Sequence, residues 1–106
     1  MFATTYADGL IDACIGLESI LLPSGTRRDF TKIIAENYCK ILQLTGEERN
    51  FEENEIRKKI LNQRGCLVHG GESLSQNEIK CASELAQSKL RKLISAIVID
   101  KAQLHT

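Results

Sequence analysis

The chain has two histidines, and one of them, His69, follows Arg64 by five residues and stands directly before Gly70 and Gly71. The other, His105, sits in a tail, Gln103-Leu-His-Thr106. An imidazole that titrates near neutrality suits general acid–base work. A guanidinium beside it can grip a phosphate through two parallel hydrogen bonds and stabilise charge as it builds. Together they suit cleavage of an RNA phosphodiester by its own neighbouring 2′-hydroxyl. That reaction needs proton transfer and an anion clamp, and it needs no metal.

Geometry restricts how the pair could cooperate. Each residue of an ideal α-helix turns about 100°, so Arg64 and His69 lie about 140° apart and cannot meet one small ligand from a straight, single helix. Either the helix loosens between them, or a site takes one residue from each of two subunits. Gly65 offers a place for loosening, since glycine inside a helix costs up to about 1 kcal/mol relative to alanine. Gly70 suits the left-handed position just past a helix end, which makes His69 the last or next-to-last helical residue. There the helix dipole favours the imidazolium while a nearby arginine opposes it. The same placement has an ordinary structural explanation, because helix C-termini attract cationic side chains generally.

The elements that carry these residues read as helices. There is one proline in the chain and no run of strict two-residue alternation. A first helix is expected from Thr4 to Leu22, with Tyr6, Leu10, Cys14, Leu17 and Leu21 on one stripe, stopped by Pro23-Ser-Gly. A second is expected to start with Thr26 as its cap and Asp29 in its first turn, and to end at Thr45-Gly46. A third is expected from Asn50, with Ile56, Ile60 and Leu67 inside, up to Gly70-Gly71. The fourth opens at Ser75-Gln-Asn-Glu78, a capping box, and extends to Ala102. Short loops make neighbouring helices antiparallel, so the expected fold class is all-α, an up-and-down bundle of about four helices.

Composition narrows the function classes. The 106 residues make a single domain with one core, 1–106. Lys+Arg and Asp+Glu both total 14, which excludes a generic polyanion binder and confines any nucleic-acid role to a local patch. Cys14, Cys39, Cys66 and Cys81 form no Cys-x-x-Cys pair, and three of them fall within apolar, helix-like stretches and read as small core residues in a reducing compartment. Asp8, Asp12 and Glu18 interrupt the N-terminal apolar residues and no basic stretch precedes them, so no signal peptide is expected. No apolar run nears the roughly 18 residues of a membrane helix. The expectation is a cytoplasmic protein that binds no membrane and no cofactor.

The segment Asn62-Gln-Arg64-Gly-Cys-Leu-Val-His69-Gly-Gly71 resembles the Arg-x(4–6)-His signature of the HEPN superfamily, in particular its Apea-like branch, whose members tend to read R-S-x-x-V-H-G-G at the end of the third helix. Gly16-Leu-Glu18-Ser-Ile-Leu-Leu22 is similar to the A-L-E-x-L-L segment of an early helix in that branch. The resemblance runs from about Leu10 to Ile97. It implies an all-α domain, found alone or beside others, that forms a homodimer with two motifs meeting in a shared cleft. It implies a metal-independent endoribonuclease, often a toxin or anti-phage effector with a neutralising or accessory protein partner. Arg64 would then hold the scissile phosphate, His69 would be the acid–base group, and Glu18 would orient Arg64. The chain departs from the pattern at Gly65, where active members often carry Asn, Asp, His or, in this branch, Ser. That departure keeps open the alternative, a non-catalytic module for RNA or nucleotide binding or for protein assembly.

Three smaller features remain. Cys66 and His69 are three apart, but two ligands do not make a zinc site, so no metal is expected. Arg57, Lys58 and Lys59 could bind substrate by tracking an RNA backbone, as could Lys89, Arg91 and Lys92, and all of them also suit the wet face of a bundle. The acidic run from Glu47 to Glu55 reads as a solvated loop and helix start.

Overall fold

The computed structural model describes the backbone of residues 5–69 and 75–104 and the side chains of residues 5–65 and 75–99. The described residues form an all-α helical bundle of four rods. They are α1 (Tyr6–Leu21), α2 (Phe30–Ile41), a long rod made of α3 (Gly46–Asn54), a π-helical segment (Glu55–Leu61) and α4 (Asn62–His69), and finally α5 (Gln76–Leu104). Among the described residues there is no strand.

Local chemistry explains most boundaries. Thr5 caps α1, its hydroxyl accepting from the Asp8 N–H at 3.1 Å. Ser75 caps α5 through the Glu78 N–H at 3.1 Å, and its hydroxyl donates to the Glu78 carboxylate at 3.2 Å. Two boundaries differ from the sequence expectation. Thr26 is not a cap, because its hydroxyl donates to the Pro23 carbonyl at 2.6 Å and closes the turn there. The chain enters α2 instead through Asp29, in the left-handed region at φ 59°. Thr45-Gly46 starts α3 rather than ending α2. The reversal after α2 is made by Gln43, also at φ 59°, whose N–H donates to the Lys40 carbonyl while Leu44 N–H donates to that of Cys39. This is the hydrogen-bond pattern that glycine usually terminates a helix with, here supplied by glutamine.

The core gathers Leu10, Cys14, Leu17, Ile34, Tyr38, Ile56, Ile60 and Leu93, all at most 1 % exposed. Rod three runs antiparallel to α2 and to α5, as its short loops require. The first and last helices, by contrast, lie side by side and parallel. Lys80 stacks over the Tyr6 ring, and Gly9 faces Ser83 while Gly16 faces Leu90. Those two glycines permit the approach: a Cβ on Gly9 would stand 2.7 Å from Ser83 Oγ, and one on Gly16 3.0 Å from Leu90 Cδ2. α2 leans on the end of α1, where Asn37 Nδ2 donates to the Leu21 carbonyl at 2.8 Å.

Candidate active site

Glu18 sits on α1 one turn after the buried Cys14, and Arg64 is the third residue of α4. Rod three passes the C-terminal half of α1 and brings Arg64 Nη1 to 3.5 Å from Glu18 Oε1. That separation makes an ion pair but is long for a hydrogen bond. Both side chains remain about a third exposed, at 33 % and 31 %. Among the described residues the buried Arg64 Nε has no hydrogen-bond partner.

The pair forms one wall of a cleft of about 410 Å³. Its lining also takes in Thr26, Phe30 and Thr31, from the loop before α2 and its first turn, with Leu22, Ile34 and Leu61. The Arg64 guanidinium and the Thr31 hydroxyl can donate to a small oxyanion in this cleft, with Glu18 tempering the net charge, whereas the Thr26 hydroxyl proton is already given to the Pro23 carbonyl. Cys14 lies behind this wall. Burial, more than any charge, pushes its thiol up to about 11, with Arg64 pulling it down and Glu18 pushing it further up.

The other sequence candidates are distributed differently. His69 closes α4, but its side chain lies outside the described residues, as do Gly70 and Gly71. Cys66 also has its side chain outside them. Gly65 does not loosen the helix: α4 is regular from Asn62 to His69, and the departure from α geometry falls upstream, at Glu55–Leu61. The angular separation of Arg64 and His69 along one chain therefore stands. Arg57, Lys58 and Lys59 are exposed on the π-helical segment and do not line the Arg64 cleft. Lys59 lies 4.0 Å from Glu55 and, with Gln63, lines a separate groove against α5. Arg91 and Lys92 are exposed and line a third groove, beside Ile41 and Leu42. Among the described residues no three His, Cys, Asp or Glu side chains gather as metal ligands.

Lys89 corrects the reading of both charge clusters. It is 3 % exposed, not on the wet face. Its ammonium donates to Glu55 at 2.8 Å and also to Glu52, so part of the acidic run is a partly buried ion-pair partner rather than solvated loop. Burial opposes the ammonium, yet the hydrogen bonds and charges of Glu52 and Glu55 outweigh it and raise the Lys89 pKa. The spacing held the clue: Ile79, Ala82, Ala86, Lys89 and Leu93 follow alternating steps of three and four, the inner stripe of a helix. Thr26 and Thr31 carried no comparable signal, because only the tertiary fold carries them to Arg64.

No family model matches this chain, and no curated protein or solved structure does either. No helix among the described residues is long and apolar enough to cross a membrane.

Proposed function

We propose that this chain is a HEPN-type RNA-processing domain of the Apea-like branch, acting as a metal-independent endoribonuclease through a site shared between two copies. The observation that supports this reading is the Glu18–Arg64 pair, a third open to water and lining a cleft. In the proposed reaction the 2′-hydroxyl of RNA attacks the adjacent phosphorus and the bond to the 5′-oxygen breaks. The products are a 2′,3′-cyclic phosphate and a 5′-hydroxyl. Arg64 holds the non-bridging oxygens as negative charge builds, and Glu18 restrains the guanidinium from behind. His69 exchanges the protons.

Because the regular α4 separates Arg64 and His69 by about 140°, the reading assigns Arg64 of one copy and His69 of the other to each site. Mixing Arg64→Ala and His69→Ala chains tests this. Each variant alone is inactive, and the mixture regains about one quarter of wild-type cleavage, since half of the dimers are mixed and each has one intact site. A mixture as inactive as its parts contradicts the shared site.

A second reading keeps the fold and drops the chemistry: a module that binds RNA, a nucleotide or a protein partner. Gly65 favours it, because no side chain stands there to help hold the arginine or the nucleophile. An inert wild type whose dimer breaks on Arg64→Ala supports this second reading.

A further inference from the structure

Rod three changes its winding at Glu55, and the change decides where Arg64 points. On an unbroken α-helix Ile60 would stand about 40° around from Ile56, Leu61 about 140° and Arg64 about 80°. The expected inner side of Ile56, Ile60 and Leu67 is that α register. In the π-helical segment Glu55–Leu61 each turn takes up one more residue, and both Ile60 and Leu61 are buried. One absorbed residue turns everything downstream by about 100°, which brings Arg64 to within about 20° of the Ile56 line and so toward α1.

The two ends of this segment are held unequally. At its start, Lys89 grips Glu52 and Glu55 inside the core, and the paired side chains are only 15 % and 14 % exposed. At its end there is Leu61, 8 % exposed, and the Glu18–Arg64 pair, open to water. The upstream end is therefore fixed and the downstream end is releasable. Gln63 adds a sign of an imperfect fit, since among the described residues its buried Oε1 has no partner in the π register. π-helical turns are rare and concentrate at functional sites.

We propose that Glu55–Leu61 is a two-register element that gates Arg64. Wound as π it seats Leu61 in the core and Arg64 against Glu18. Rewound as α it presents the Ile56–Ile60–Leu67 side and carries Arg64 about 100° away from α1. An oxyanion that draws Arg64 off Glu18 would bias the same equilibrium, in that respect resting on the function proposed above, whereas the register change itself rests only on this chain's packing.

The test is residue-specific NMR on the intact chain. The wild type is expected to show Leu61 methyl contacts to core residues and amide contacts of π spacing across Glu55–Leu61. Glu18→Gln, a change at a side chain about a third exposed that leaves folding intact, is expected to raise the α-register population up to about five-fold. Leu61→Ala, with helix content checked by circular dichroism, is expected to make the α register dominant. Unchanged π spacing in both variants overturns the proposal, as does a loss of helix content in Leu61→Ala combined with no shift in Glu18→Gln. A chain that shifts register yet cleaves no RNA keeps this inference and loses the catalytic reading.

Discussion

Arg64 Nη1 lies 3.5 Å from Glu18 Oε1, so the start of α4 is tied to α1 by two oppositely charged side chains that water still reaches. A pair this exposed contributes at most about 1 kcal/mol to stability. Under the proposed function the pair's contribution is orientation, since it limits the guanidinium's rotation.

This separates stability from activity in a measurable way. Glu18→Gln is expected to move the urea unfolding free energy by less than about 1 kcal/mol. The same substitution is expected to lower RNA cleavage by up to about 100-fold, the scale of loss when a functional group is misplaced by about 1 Å. Equal losses in both measurements would make Glu18 a structural residue only.

Alkaline pH should weaken the fold through buried thiols. Cys14 and Cys39 are each pushed from the ordinary 9.0 to about 11, in both cases chiefly by burial. The folded chain thus holds protons that the unfolded chain has released. The stabilisation is complete below the unfolded value and falls as pH rises toward the folded one, by about 1.4 kcal/mol per pH unit for each thiol. Tyr38, raised by burial first and then by Glu52, Cys39 and Glu55, acts in the same direction. Urea midpoints measured in reductant at about pH 8 and about pH 10 check this, and Cys14→Ala should flatten the slope.

The glycines should respond with opposite signs. Nothing lies within 4 Å of a Cβ placed on Gly65, so Gly65→Ala is expected to stabilise by about 0.5–1 kcal/mol. Gly9→Ala forces Ser83 Oγ or its helix to move and is expected to destabilise by about 1–3 kcal/mol. Thermal melts of the two variants settle the order.

Lys89→Met leaves two nearly buried carboxylates without their cation and is expected to cost about 3–5 kcal/mol. Adding Glu52→Gln and Glu55→Gln should recover most of that loss, because neutral amides tolerate burial far better than unpaired charges. A single variant as stable as the wild type would mean that the cluster is solvated.

The fold class was legible because apolar periodicity and the Ser75 capping box are local signals. So was the Arg64–His69 spacing, and with it the angle that disfavours a single-chain site. Boundaries failed where a side chain had a competing bond, as at Thr26, or where glutamine took glycine's conformation, as at Gln43. The π-helical turn was not legible, since Ile56 and Ile60 fit an α stripe equally well and only the depth of Leu61 reveals the extra residue. Lys89 was legible in position but not in partners, because Glu52 and Glu55 reach it from another rod.

The most direct measurement is incubation of the purified chain with single-stranded RNA in excess EDTA, beside Arg64→Ala and His69→Ala. The account predicts cleavage by the wild type to 2′,3′-cyclic phosphate ends, and a fall of at least about 100-fold in each variant. Intact RNA with the wild type, or cleavage unchanged in His69→Ala, would contradict it.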